Sequence, residues 1–331
     1  MRHEASVTSV SWIPSEAATG MMKLPFDVGV SHYDEPLPDA IDDLEALRAA
    51  DRFRFANELR AWVEADDGRI VDGGHLGKGH IGSTTVRLGK RSVTFEAVAL
   101  PDLRSEPQIE GGQARFVQTA GGRTGAPMPR RVRRAPFVQI TAPIAWTTLA
   151  LTITADGTAT HEVLGASPFP RHWIYDSRGQ LSAKSGLVDM KNWMLDAFGV
   201  KTPWGEQDSP ALVTEVETAL ERNLSATIMR GGRKPRIRTL REGELLTEQG
   251  QTGDELFLLL DGVLRVDVDG KALAELGPGA VLGERAILEG GLRTSTLVAV
   301  TSCKVAVASA DEVDREALEA LREGHRREDL V

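Results

Sequence analysis

The chain has 331 residues, enough for about two domains. Its hydrophobic content of 41% and charged content of 26% are ordinary for a globular chain, and a net charge of −9 argues against general nucleic-acid binding. A single cysteine, Cys303, excludes an internal disulfide framework and fits a reducing compartment.

Met1 to Gly20 mixes His, Glu, Ser and Thr and has no apolar leader core. No stretch reaches the ~18 apolar residues of a membrane span. The expectation is a cytoplasmic protein without a membrane partner. Residues 1–37 read as irregular or short strands, because Pro14, Pro25 and Pro36, followed by Pro38, forbid a long helix. Asp39 is placed to cap a first helix carrying Ile41, Leu44 and Leu47. A second helical segment is expected from Asp51, with Phe55, Leu59, Trp62 and Val63, ending at Asp66-Asp67-Gly68.

Residues 69–165 are β-rich in pattern. Ser92 to Val98 alternates with period two, and Trp146 to Thr154 is rich in β-branched residues. Asp156-Gly157 marks a hairpin turn before Thr158 to Leu164. A second hairpin runs through Ile174 to Asp176, turns at Ser177-Arg178-Gly179 and returns along Gln180 to Lys184. A helix over Leu187 to Phe198 with a stop at Gly199 follows. This half reads as a sheet or partial barrel with flanking helices.

Aromatic residues divide the chain. All six Trp, both Tyr and every Phe except Phe257 precede residue 205. The turn-rich stretch Thr202 to Pro210, a linker or an ordered loop, therefore sets the expected division: residues 1–205 as a β-rich domain, 206–234 as a helical connector and 235–331 as a second domain. In the connector, Ser209 caps, Pro210 takes the first helical position, and Leu212, Val216, Leu220, Leu224 and Ile228 mark one face.

From Pro235 short apolar runs alternate with glycines at 243, 250, 253, 262, 270, 277 and 279, the pattern of a sandwich, barrel or jelly roll. The runs are Ile237–Leu240, Leu245–Glu248, Leu256–Leu260, Val263–Val268, Lys271–Leu276, Leu297–Val300 and Lys304–Ala308. Asp311 is placed to cap a last helix through Leu321. The fold class expected is α+β, mainly β.

One stretch inside this region carries chemistry. Gly283 lets backbone approach a ligand closely, and Glu284 can accept from a pair of hydroxyls such as those of a ribose. Nine positions later Arg293 offers a planar fork of donors suited to a phosphate. The run Leu282-Gly283-Glu284-Arg285-Ala286-Ile287, followed by Leu292-Arg293-Thr294-Ser295, resembles the phosphate-binding cassette of cyclic nucleotide-binding domains. That pattern is Phe-Gly-Glu-x-Ala-Leu, a spacer, then Pro-Arg-x-Ala. Leu282 here replaces the aromatic residue and Leu292 the proline. Glu242-Gly243-Glu244, Glu248-Gln249-Gly250, Asp254-Glu255-Leu256-Phe257 and Leu260-Asp261-Gly262 look like the same family's β-roll signatures.

The resemblance implies a β-roll with flanking helices and a cyclic nucleotide as ligand, cAMP favoured over cGMP. Its binding set would be Gly283, Glu284, Arg285, Ala286, Arg293 and Thr294, with Glu284 on the ribose and Arg293 on the cyclic phosphate. It also implies that the helix before the β-roll moves on ligand binding. The alternatives for Glu284 and Arg293 are an ion pair within the sheet, or a fold that has lost its ligand.

Other candidates carry less. The run Arg130-Arg131-Val132-Arg133-Arg134 reads as a solvated loop more than a nucleic-acid surface. Gly121-Gly122-Arg123-Thr124-Gly125 lacks the ending of a phosphate loop and reads as a turn. His75, His80, His161 and His172 have no zinc-type spacing, so no metal is expected. Ser167 to Trp173 either lines a pocket or packs as a corner of the core, and no Gly-x-Ser-x-Gly elbow accompanies any serine. The expected function is a cyclic nucleotide sensor, with a protein partner or self-association open. The alternatives are an enzyme with its catalytic site in residues 1–200 and an assembly protein with a degenerate β-roll. No catalytic residue is assigned.

Overall fold

The computed structural model describes residues 1–15, 23–24, 33–88, 91–125, 128–131, 138–168, 170–185, 202–204, 219–230, 235–309 and 315–328. The helix expected over Leu187 to Phe198 and the cap at Ser209-Pro210 lie outside them. Two compact units separate: the strands up to Ser185 belong to the first, and everything from Ala219 onward to the second.

The first unit opens with β1 (Arg2–Trp12), α1 (Leu44–Ala49), β2 (Phe55–Asp66), β3 (Arg69–His75) and β4 (Gly79–Ile81). There follow β5 (Ser83–Leu88), β6 (Arg91–Glu96), β7 (Val98–Ala99), β8 (Leu103–Arg104), β9 (Gln108–Glu110) and β10 (Gln113–Arg123). It closes with β11 (Met128–Arg131), β12 (Val138–Thr141), β13 (Ile144–Thr154), β14 (Ala159–Ala166), β15 (Arg171–Tyr175) and β16 (Leu181–Ser185).

One sheet runs β16-β15-β1-β2-β3, with β4 also on β2; a second runs β14-β13-β10-β7, with β8 and β9 also on β10. Val7, Leu59, Val63 and Ile174 of the first sheet form one buried cluster with Phe116, Leu149, Leu151 and Ile153 of the second. Two antiparallel sheets thus share a core across their inner faces, which explains the alternating in-and-out pattern along β2. Asn57 crosses that core, donating to the Thr147 carbonyl at 2.9 Å and accepting from Gln118 at 2.8 Å, so its amide is satisfied despite full burial.

Three expectations change here. Residues 55–66 are a strand rather than a helix. Phe55, Asn57, Leu59, Ala61, Val63 and Ala65 are all buried and alternate with more exposed residues beyond position 57. Spacings of three and four among the apolar residues imitated a helix, but the period that burial follows is two. Residues 2–12 form one long strand paired with both β2 and β15, not short irregular pieces. Gly121, Gly122 and Arg123 lie inside β10, not in a turn. A Cβ on Gly121 would fall 2.6 Å from Trp146 and from Trp204, so these glycines mark close packing within the unit.

Smaller shifts follow the same logic. Asp43, not Asp39, caps α1, its side chain accepting from the Ala46 amide at 3.0 Å. Arg130 and Arg131 pair with Gln139 and Val138 in a two-stranded ribbon rather than a loop. Both predicted hairpins form, β13 with β14 and β15 with β16.

The second unit contains α2 (Ala219–Arg230), β17 (Arg236–Leu240), β18 (Leu245–Thr247), β19 (Glu255–Asp261), β20 (Leu264–Val268) and β21 (Lys271–Leu276). These are followed by β22 (Val281–Leu282), α3 (Glu284–Leu288), β23 (Thr296–Ala299), β24 (Cys303–Ser309) and α4 (Arg315–Glu328). Two four-stranded sheets, β17-β24-β19-β22 and β18-β23-β20-β21, make the roll. The architecture is the mainly β fold with flanking helices that the sequence pattern implies.

Strand β19 explains its own unbroken apolar run. Phe257 and Leu259 enter the cluster between the sheets, with Leu264, Leu297 and Val305. Leu256, Leu258 and Leu260 face the other way and pack with Leu224 and Ile228 of α2 and Leu318 and Leu321 of α4. A strand covered on both faces reads as continuous hydrophobicity rather than alternation.

Candidate functional site

The site is built by two loops that the roll brings side by side. The Gly253 amide donates to the Gly291 carbonyl at 2.8 Å, the Arg293 amide to the Gln251 carbonyl at 2.7 Å, and the Gly250 amide to the Arg293 carbonyl at 2.8 Å. Thr252 and Leu292 form a β-bridge between the same loops. The backbone of Arg293 is therefore fixed on both sides. Leu292 is exposed, so the position where the family has proline is satisfied by the bridge and not by burial.

The Arg293 side chain turns inward and is buried, with 7% of its surface exposed. Its Nη1 donates to the Glu255 carbonyl at 2.9 Å, and its guanidinium carbon lies 4.9 Å from the centre of the Phe257 ring. A carbonyl and an aromatic face thus hold the fork in place. Burial lowers the Arg293 pKa from its ordinary value, opposed by the carboxylates of Glu255, Asp254 and Glu284.

Gly283 stands where β22 ends and α3 begins, with φ 97°, in the left-handed region. A Cβ there would sit 2.7 Å from Arg293 Nη1 and from the Glu255 carbonyl oxygen. Both the backbone angle and the approach of the guanidinium require glycine. Glu284 follows at the first residue of α3 and is 4% exposed. Gly283, Glu284 and Arg293, nine or ten positions apart in sequence, are thereby gathered into one place. Thr294 is half-buried in a bend next to the anchor.

Arg285 and Ala286 differ from these. Ala286 is buried, and its carbonyl accepts from the Gly291 amide at 2.6 Å, closing the loop between α3 and the anchor. Arg285 is half-buried, and its carbonyl accepts from the Glu289 amide at 2.7 Å. Their backbones shape the cassette. Helix α3 packs against α4, where Arg322 lies 3.9 Å from Glu289.

Sequence reasoning did not single out Gly253. A Cβ on Gly253 would lie 2.4 Å from Arg293 Nε and 2.5 Å from Nη2. Its glycine signal was visible as turn punctuation, but its contact with Arg293 spans forty positions.

In the first unit, the described histidines and the Ser167 to Trp173 run make the following contacts. Ser11 Oγ and His172 Nδ1 are 2.6 Å apart, and His172 Nε2 lies 2.8 Å from the Ser167 carbonyl oxygen. A carbonyl can only accept, so Nε2 carries the hydrogen and Nδ1 accepts from the Ser11 hydroxyl. Ser11 and His172 are fully buried, and burial pushes His172 down to about 4. The Ser167 to Trp173 run therefore includes a packed corner: Arg171, His172 and Trp173 are buried, and Trp173 meets Trp12 edge-on at 4.8 Å. His80 lies 3.1 Å from both Glu45 and Glu58. No group of three or more His, Cys, Asp or Glu among the described residues comes together to hold a metal. Among the same residues, no helix is long and apolar enough to cross a membrane.

Residues 237–319 match the cyclic nucleotide-binding domain family. The chain is 30% identical over 113 residues to a cyclic nucleotide-gated potassium channel of Mesorhizobium japonicum, covering 34% of this chain and 26% of the channel. It is 36% identical over 65 residues to a cGMP-dependent protein kinase of Caenorhabditis briggsae, covering 20% of this chain and 9% of the kinase. The matched part thus spans about a quarter or less of these relatives' own length. Among solved structures, it is similar to one described as "Sp-2Cl-cAMPS bound to PKAR CBD2", at 21% identity and TM-score 0.26, covering 34% of this chain and 72% of that one. The C-terminal part of this chain, residues 237–319, is a domain of the cyclic nucleotide-binding family.

Proposed function

We propose that the chain is a cytoplasmic sensor whose C-terminal domain binds a cyclic nucleotide, with cAMP favoured over cGMP, and regulates the N-terminal unit. Arg293 takes the cyclic phosphate through its guanidinium fork, and Glu284 takes the ribose hydroxyls. The observation that carries this reading is the prepared state of Arg293. Its backbone is pinned between two loops, and its Nη1 is seated on the Glu255 carbonyl beside Gly283 and Glu284. A fork fixed in advance loses less freedom when an anion arrives.

The output runs through helices α2 and α4, which share a buried cluster with β19 and β24 behind the site. A ligand shifts that arrangement only by binding one state more tightly than another. Thr294 offers a hydroxyl beside the anchor, and the relatives named for cGMP make cGMP the comparison ligand.

Isothermal titration calorimetry with cAMP and cGMP tests the assignment. Arg293→Ala is expected to lose roughly 2–5 kcal/mol of binding, the range for truncating one partner of a buried charge contact. Equal binding of both nucleotides by wild type and Arg293→Ala would sink it.

A further inference from the structure

Helix α2 carries an acid on its buried face. Glu221, Leu224 and Ile228 follow one another at spacings of three and four, so they share one side of the helix. Leu224 and Ile228 pack into the cluster behind the roll, and Glu221 is buried with them at 5% exposure. A carboxylate in that position is costly unless something donates to it. One donor is backbone: the Val281 amide points at Glu221 Oε1 at 3.1 Å.

The place of that amide matters. Strand β22 is two residues long and ends its sheet, with β19 as its neighbour there. An edge strand leaves backbone groups on its open side without ladder partners. Glu221 supplies a side-chain acceptor for one of them, sixty positions away in sequence. Val281 stands two residues before Gly283 and three before Glu284. Whatever fixes β22 therefore fixes the start of the ligand site.

We propose that Glu221 is a positioning residue for the nucleotide site. Its carboxyl oxygen caps the open edge of β22 and ties the preceding helix to the strand that delivers Gly283 and Glu284. The binding consequence rests on the function proposed above; the tie itself does not. A displacement of α2 that withdraws the acceptor frees β22, and a ligand that demands an ordered β22 draws α2 inward. The contact is thus a specific route by which the helix and the site sense each other.

The experiment uses the full chain with two readouts: hydrogen exchange at the Val281 amide by NMR, and calorimetric affinity for cAMP and cGMP. Glu221→Ala removes the acceptor. Glu221→Gln keeps an oxygen of the same reach and serves as the rescue, and as the folded comparison if the alanine variant is unstable. Glu221→Ala is expected to speed Val281 exchange and to weaken nucleotide binding, each by roughly tenfold, the scale of one hydrogen bond. Glu221→Gln is expected to recover most of both. Unchanged Val281 exchange in Glu221→Ala overturns the proposal, as does faster exchange with unchanged affinity. If Glu221→Ala does not fold, Glu221→Gln with wild-type exchange and affinity supports the tie, and Glu221→Gln with fast exchange overturns it. Should wild type bind neither nucleotide, the sensor reading fails, and the exchange measurement alone decides whether Glu221 holds β22.

Discussion

At the scale of single residues, the two units use buried polar groups differently. In the roll, the buried Arg293 is seated on a backbone carbonyl; in the N-terminal unit, Asp34 and Arg54 pair with each other and His172 bonds to Ser11 and to the Ser167 carbonyl. Gly253 belongs with Arg293, because an added Cβ would meet the guanidinium at 2.4 to 2.6 Å. Gly253→Ala is expected to weaken cyclic nucleotide binding by roughly tenfold or more through displacement of the fork. Its melting temperature should fall little, and calorimetry beside a thermal melt separates the two effects. His172 makes a pH prediction. The folded protein holds it neutral down to about 4, whereas an unfolded histidine takes a proton near its ordinary 6.5. The unfolded state therefore binds more protons in that window, and this contribution to stability is lost as pH falls from about 6.5 to about 4. Asp34 runs the other way. Burial raises it to about 6 against the pull of Arg54, whose Nη2 lies 2.8 Å away, so its contribution grows as pH falls below 6. The two slopes oppose each other in wild type, and His172→Gln removes one of them. The destabilisation measured for His172→Gln is expected to shrink by roughly 3 kcal/mol between pH 7 and pH 4 in urea melts. A difference that stays constant across that range would show that His172 is not held neutral by the fold.

At the scale of elements, the sequence was most legible where a pattern is local. The strands of the roll follow the apolar runs and turn glycines closely, and both N-terminal hairpins form where their turns predict. Strand β2 was misread because Phe55, Leu59, Trp62 and Val63 satisfy a helical spacing while Asn57, Ala61 and Ala65 carry the alternation. Those last residues are small or polar, so hydrophobicity alone hid them, and burial between the two sheets revealed them. Helix α2 gave a similar lesson. Its apolar stripe was readable at Leu224 and Ile228, but the stripe includes Glu221, which accepts from the edge amide of β22. Helix α4 buries Leu318 and Leu321 in the same cluster. Leu321→Ala is expected to destabilise the second unit by about 2–5 kcal/mol in denaturant melts. Ile237→Ala, at an exposed position, serves as a control expected to change stability by less than about 0.5 kcal/mol.

For the whole molecule, two units built on different principles share one chain. The first joins two sheets across a core crossed by Asn57 and Gln118. The second closes a roll around Phe257 and Leu259 and backs it with two helices. A ligand that binds only the folded second unit should stabilise it by about 2.7 kcal/mol when present at a hundred times its dissociation constant. Differential scanning calorimetry with cAMP is expected to show that shift in wild type and to lose it in Arg293→Ala. The roll and the family were readable from the sequence by itself, because Gly283 to Arg293 is one contiguous stretch and the strands around it are short and locally patterned. Only the tertiary structure decided what holds Gly283, Glu284 and Arg293 in place. The Glu255 carbonyl reaches Arg293 across 38 positions and Glu221 reaches Val281 across 60, and contacts at such separations leave no trace in local spacing.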